Sequence, residues 1–310
     1  MKIDNFALTM FQTCPAKYLL RIQNNWTTRR KSAALGFGGA FHEGLAEWYR
    51  TKSRSKALVA IDEAWPANLP IDDWRTKAKC VETMLGYVRE YPEETFSIVG
   101  AGSGNPLVEV TFTLPTGMFL PCPGHWEDTS EAIYMRESKC WICSGERELI
   151  EYGGIFDALV EASGMVYVLE HKTTSQLGSY YFRQFKPNNQ VTGYVWGASV
   201  LSGRKVGGAI INAIGVYKSS ASKFERQITT RTPGDIELWL RSVFATCVQI
   251  KDCQTRGAWP MHTGSCTMYG ACEFHDVHVL STETEQQKRL EQDYVQDEWI
   301  YEERAGVKEE

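Results

Sequence analysis

Gly153-Gly154-Ile155-Phe156-Asp157, followed after twelve residues by Glu170-His171-Lys172, is the stretch whose reading decides the fold of this chain. The segments on either side of Ser163-Gly164 read as two short strands. Taking those two residues as the loop of a hairpin pairs 162 with 165 and 161 with 166, and the same count sets Asp157 opposite Glu170. Directly opposed strand residues share a face, with Cβ atoms roughly 4.5–5.5 Å apart. Side chains alternate along a strand, so Lys172 emerges on that face as well. Two carboxylates so placed repel unless positive charge lies between them. The pattern therefore predicts a divalent-metal site with a fixed cation beside it, suited to phosphodiester chemistry. The register is its exposed assumption: an odd-length loop at 162–164 would set Asp157 opposite Leu169.

At 310 residues, 43% hydrophobic and 12% aromatic, the chain can bury a real core as one large domain or two small ones. It has no apolar run near eighteen residues, and Met1-Lys2-Ile3-Asp4-Asn5 does not look like a signal peptide. A soluble, cytoplasmic protein without a membrane segment is expected. The formal charge is −5, but residues 281–310 hold ten acidic against four basic residues, so the other 280 carry about +1. A near-neutral body can bind nucleic acid through local clusters such as Arg29-Arg30-Lys31, Arg204-Lys205 and Lys218 with Lys223. Such clusters are as often solvated surface.

Around the hairpin the order of elements is helices up to about residue 92, a strand over 107–114, the hairpin, a helix over about 187–201, strands over 208–217 and 224–230, and a helix over about 235–251. The order describes an α/β core with a helical flank. Mg²⁺ accepts one or two carboxylates together with water and phosphate, so Asp157 and Glu170 suffice as its protein ligands. Lys172 would stabilise charge on the scissile phosphate or orient the attacking water. An isolated D-x12-E-x-K match is a short pattern, and an ordinary hairpin with a solvent-facing ion pair also satisfies it.

Three further motifs lie in order along the chain: Phe37-Gly-Gly-Ala-Phe-His42, Val108-Glu109, and Gln190 with Tyr194 four residues on, which puts both on one helix face. With Gly153–Asp157 and Glu170–Lys172, they resemble the RecB-like branch of the PD-(D/E)XK nuclease superfamily, and within it the iron–sulphur exonucleases of CRISPR-adaptation and phage-encoded type. The resemblance runs from about Ala7 to His278, apart from an insertion near 120–147. It implies a restriction-endonuclease-like α/β fold, a small mixed sheet flanked by helices. Residues 1–106 would form a helical region carrying Cys14 and His42, with the nuclease core in 107–119 and 148–232. Residues 233–280 would hold a C-terminal helix and a cysteine cluster, and 281–310 an acidic tail. It also implies that His42, Asp157 and Glu170 bind Mg²⁺ or Mn²⁺, that Lys172 catalyses, and that Gln190 and Tyr194 position DNA. Glu109 stays outside this catalytic set, as a structural or supporting residue. The implied activity is a metal-dependent DNA exonuclease on single strands or ends, in recombination, repair or CRISPR-type processing. A catalytically silent DNA-binding or assembly factor on the same fold is the alternative, and the acidic tail with Tyr294, Trp299 and Tyr301 is a candidate docking segment for a protein partner.

The nine cysteines are an odd number without an export signal, so metal ligation is a better reading than disulfides for those that cluster. Cys14, Cys266 and Cys272 resemble the family's ligands for a [4Fe–4S] cluster. Its spacing calls for a fourth cysteine at 278, where this chain has His278. Three thiolates and one imidazole also suit Zn²⁺, and His275 and Cys253 are rival fourth ligands. Within the insertion, Cys122-Pro-Gly-His125 and Cys140-Trp-Ile-Cys143 form two knuckles with the spacing of a structural zinc site. Cys80 and Cys247 fall on helical patterns and read as core.

Overall fold

The structure is a computed structural model that describes residues 1–29, 32–67, 69, 73–100, 104–122, 136–140, 142–268 and 270–302. In chain order its elements begin with β1 (Lys2–Asp4), α1 (Asn5–Thr13), α2 (Pro15–Tyr18), a π-turn over Leu19–Gln23, and β2 (Trp26–Thr28). Then follow α3 (Ala33–Thr51), α4 (Arg54–Ala64), α5 (Lys77–Glu90), β3 (Ser97–Ile98), β4 (Val108–Phe119), β5 (Leu149–Ala162) and β6 (Met165–Thr174). A 3₁₀ turn at Tyr181–Phe185 precedes α6 (Asn189–Ser202), β7 (Val206–Gly215), β8 (Lys223–Thr230) and α7 (Pro233–Arg256). The chain closes with α8 (His275–His278), α9 (Glu283–Asp293) and β9 (Tyr294–Gln296). No helix among the described residues is long and apolar enough to cross a membrane. Contacts divide the chain into two compact units. One comprises Met1–Arg29, Thr113–Gly154 and Glu237–Tyr301, the other the described residues of 30–112 and 155–236.

The second unit is built on the hairpin. β5 and β6 pair antiparallel from Ala162↔Met165 to Ala158↔Leu169. Ser163 has φ +50° and Gly164 φ +75°, the two positive values that a two-residue type I′ loop requires. An even loop of this kind sets the register that opposes Asp157 to Glu170. β6 is parallel to β7 through α6, β7 is antiparallel to β8, and β3 lies antiparallel on β5, giving a mixed sheet. On one face, Phe41 and Leu45 of α3 with Met84 and Tyr87 of α5 pack on Val160, Leu169, Ile210 and Ile214. On the other, Tyr194 of α6 meets Phe112 and Phe156. The helices start where polar residues satisfy their first N–H groups: Ser32 Oγ accepts from Leu35 on α3 and Asn188 Oδ1 from Val191 on α6.

In the first unit β1 runs parallel to the start of β5, and Asp4 caps α1 by accepting from Ala7 N. The sequence reading makes 281–310 a solvated tail or docking segment, and the structure differs over its described part. A capping box, Thr282 with Glu285, starts α9, and β9 pairs with β2. Leu290 and Tyr294 join Leu20, Phe274 and Val277 in a buried cluster. Trp299 stacks on Phe6 and donates to Asp4 Oδ2 at 2.8 Å, while Tyr301 is buried and bonded to Thr113. A Cβ at Gly153 would collide with the Tyr301 ring. The aromatic side chains offered as partner contacts are thus spent on the unit's own core.

Candidate active site

One rung past the end of the β5–β6 ladder, the backbone geometry changes use. Asp157 Oδ2 accepts the main-chain N–H of His171, so the hairpin's own peptide group fixes the carboxylate. Its Oδ1 lies 3.1 Å from His42 Nδ1, which α3 presents at its middle turn. Glu109, the second residue of β4, completes a group in which one ligand atom from each of His42, Glu109 and Asp157 lies within 4.8 Å of the others. Glu170 is not a member of that tight group, although the sequence reading puts it, with His42 and Asp157, among the ligands. Glu109, left outside the catalytic set by that reading, stands inside the group. The Val108-Glu109 motif of the resemblance was the available signal. The Glu109 backbone is a second one, invisible in sequence: φ is +53°, a conformation that costs a non-glycine residue about 1–2 kcal/mol.

Glu170 faces the same pocket from β6, 3% exposed, and its two oxygens have different fates. Oε1 accepts from Lys172 Nζ at 2.7 Å, while Oε2 is buried without a hydrogen-bond partner. An orphaned buried carboxylate oxygen is costly and calls for a cation or water. Lys172 Nζ also donates to Gln190 Oε1 at 2.8 Å, and Gln190 Nε2 donates to the Tyr194 hydroxyl at 3.1 Å. The i, i+4 spacing on α6 therefore makes a relay that holds the ammonium in place. Tyr194 is 7% exposed, so it acts through Gln190 rather than by touching a ligand.

The charges are interdependent. Burial opposes ionisation of Asp157, but His42 and the hydrogen bonds to it outweigh burial and hold its carboxyl well below the usual range. Burial likewise opposes charge on His42, and the Asp157 carboxylate overrides it, raising the imidazole to about 9. Glu109 is pushed up to about 8 by burial, with the Asp157 charge adding to the shift. Glu170 is pushed up to about 7, by burial first, Lys172 resisting and Asp157 reinforcing. Lys172 moves up in spite of burial because Glu170 stabilises its charge. Three carboxylates, one orphaned oxygen and an imidazole fit a hard divalent cation, which takes oxygen ligands with an occasional nitrogen.

Behind the pocket His171 points to the other sheet face. Its ring stacks on Tyr49 at 5.5 Å, its Nδ1 accepts from Asn212 Nδ2 at 2.7 Å, and burial pushes it down to about 3, so it is neutral. Asn212 Oδ1 accepts from Arg226 Nε, and the guanidinium is paired bidentately with Glu94 and bonded to Tyr87 and Tyr49. The sequence reading contains none of this network.

Apart from Cys80, the cysteines fall in the first unit. Cys122, Cys140 and Cys143 bring their thiols within 4.8 Å of one another, with Cys122 and Cys143 Sγ 3.5 Å apart; a Gly145 backbone hydrogen bond works to lower the Cys143 thiol, but the neighbouring Cys122 and Cys140 thiols outweigh it and leave it raised. His125 lies outside the described residues. Three thiols so arranged suit a thiophilic metal such as zinc. Cys14, Cys266, Cys272 and His278 do not form such a group among the described residues. Cys14 Sγ instead accepts from the His262 N–H at 3.5 Å, and Cys272 N–H donates to the Cys266 carbonyl. Cys80 and Cys247 are core, as their helical positions suggest.

The sequence profile of the PD-(D/E)XK nuclease superfamily matches residues 6–277. Among solved structures, the chain is similar to a crystal structure of a candidate exonuclease from Eubacterium rectale: 11% identity, 91% of this chain and 89% of that chain covered, TM-score 0.51. That likeness is one of fold. A second, the crystal structure of SSO0001, has 11% identity over 79% of this chain and 84% of that chain with a TM-score of 0.27, too low to bear on the fold. Among curated proteins none matches the chain significantly.

Proposed function

The chain belongs to the PD-(D/E)XK nuclease superfamily, and from that premise we propose that it is a divalent-metal-dependent deoxyribonuclease, an exonuclease on single strands or DNA ends of the RecB-like iron–sulphur branch. The observation that carries the reading is the pairing of an orphaned Glu170 Oε2 with a lysine pinned beside it by Glu170 and Gln190. His42, Glu109, Asp157 and Glu170 would hold Mg²⁺ or Mn²⁺, which when bound supplies Lewis-acid stabilisation of the phosphate and a more acidic water. Lys172 uses two of its three protons on Glu170 and Gln190, which leaves one for a non-bridging phosphate oxygen. Such a donor, fixed before the reaction, is worth about 10²–10³ in rate. Tyr194 holds Gln190, and His171 holds Asp157 through its N–H, so neither needs to move during the reaction.

The cysteines would supply structural metals. Cys122, Cys140 and Cys143 would bind zinc, with His125 the fourth ligand by sequence spacing. Cys14, Cys266 and Cys272, with His278, would bind a [4Fe–4S] cluster, and zinc is the rival there. The working context would be recombination, repair or CRISPR-type processing.

The test is hydrolysis of end-labelled single- and double-stranded DNA by protein purified without oxygen, with Mg²⁺ or Mn²⁺. Lys172→Ala and Asp157→Ala are expected to lose at least about 10²-fold in rate while binding DNA. Equal degradation by wild type and both variants would mean a contaminant, and binding without degradation by any of them would establish the silent-factor alternative. Iron and zinc content of the same samples, with Cys266→Ala and Cys140→Ala, assigns the metals.

A further inference from the structure

Beside the carboxylates, on the same sheet face, the second unit has a groove that the proposed chemistry does not use. Glu170 pairs with Ile211 on β7, and Ile211 with Gln227 on β8, so these three side chains form one row across the sheet. Ile211 and Gln227 are in the lining of a groove of about 530 Å³. With strands about 4.8 Å apart, the row places Gln227 roughly 10 Å from Glu170. Opposite the strands, the turn between β6 and α6 contributes Phe182, Arg183 and Lys186.

The chemistry of this lining is specific. Arg183 and Lys186 are exposed, and among the described residues neither has an ion pair to a carboxylate. Lys186 acts on Asp235 without forming an ion pair with it, and Asp235 Oδ2 accepts from the Thr232 N–H and hydroxyl. Lys186 has only a long contact, 3.5 Å, to Thr230 Oγ1. Arg183 lies 4.5 Å over the ring of Tyr180, which is 70% exposed. Two cations without an ion pair and amide and hydroxyl groups along one groove, with the exposed Tyr180 ring next to it beside Arg183, suit a single nucleic-acid strand: cations track phosphates, and the ring stacks a base whatever its identity. A protein partner would be met by carboxylates at the cations, but nothing in such a partner calls for a bare aromatic platform next to a phosphodiester site.

We propose that this groove holds the single-stranded DNA leading to or from the scissile phosphate, with Arg183 and Lys186 on its phosphates and Tyr180 under a base. The inference rests on the nuclease reading and adds the path of the strand to it.

The experiment is fluorescence anisotropy of a labelled oligothymidylate with the full-length chain and no added divalent cation, over a series of salt concentrations. Two phosphate contacts contribute about 1.4 to the slope of log K against log salt, so Arg183→Gln/Lys186→Gln flattens the slope by that amount. Tyr180→Ala weakens binding about fivefold or more and leaves the slope unchanged. Thermal midpoints equal to wild type show that the exposed substitutions leave the fold intact, and a slope is not altered by a uniformly smaller active fraction. Wild-type slopes and affinities in all variants, from a protein that degrades DNA, overturn the groove and leave the nuclease reading standing. A wild type that neither binds nor degrades DNA overturns both.

Discussion

Glu94→Ala is the perturbation that best probes how the site is supported. The Glu94 side chain is 8% exposed and that of Arg226 14%, with N–O distances of 2.5 and 3.1 Å. Arg226 also lies 3.5 Å over the Tyr91 ring and donates to Asn212, Tyr87 and Tyr49. Removing the carboxylate leaves a desolvated cation among neutral acceptors, and breaking a buried pair from one side costs about 3–5 kcal/mol. In a unit of this size each kcal/mol is worth about 2–4 °C, so thermal unfolding followed by circular dichroism should fall by about 6–20 °C. Because Arg226 fixes Asn212 and Asn212 fixes the His171 ring, Mn²⁺ affinity at the carboxylates should fall too, through the His171 N–H on Asp157. Glu94→Leu combined with Arg226→Met should recover most of the stability, because matched apolar replacement of a buried pair is often neutral. A drop below about 2 °C in Glu94→Ala, or a double variant no better than the worse single one, would refute this account.

Mn²⁺ affinity, measured by calorimetry, should rise from pH 6 to pH 8. In the metal-free protein Glu170 is raised to about 7, Glu109 to about 8 and His42 to about 9, so below those values a cation must displace their protons, by up to about tenfold in affinity per pH unit for each proton; a flat profile would remove all three residues from the ligand set. Glu109→Gly should raise the thermal midpoint by relieving a positive φ, by about 1–2 kcal/mol, while weakening Mn²⁺ binding. If stability and affinity fall together, Glu109 is a structural residue.

The parts of the site set by local rules were legible. Ser163-Gly164 is a two-residue loop because one position favours and the other tolerates positive φ, and counting from it gives the register seen from 162–165 to 158–169, one rung short of 157 and 170. Gln190 and Tyr194 came from the resemblance, and helical spacing placed them on one face, where they bond. What escaped depends on long separations or backbone torsion. Glu94 and Arg226 are 132 residues apart and each resembles a surface charge until the fold buries both. Nothing in Val108-Glu109 announces a φ of +53°. The acidic segment after residue 281 misled through its charge, although Thr282 and Glu285 spelled a capping box before an apolar Leu290.

Charge balance explains why so many carboxylates can share one pocket. Without a cation and near neutral pH, Glu109 and Glu170 are raised towards protonation, Asp157 is ionised, and His42 and Lys172 are positive. The formal total is then about +1. With a divalent cation, three ionised carboxylates, a neutral imidazole and Lys172, the total is zero. Neither state leaves a large uncompensated charge in a buried site, so on the proposed reading the fold can form before a metal binds. The protons carry the difference: cation entry must expel those on Glu109, Glu170 and His42. Asp157 and Lys172 are the charges that need not change between the two states, and Glu170 and Gln190 hold Lys172, the positive one, where it stands. A fixed cation beside a site whose other charges adjust is what a reaction that builds negative charge on phosphate requires, because its stabilising dipole is in place before the charge develops.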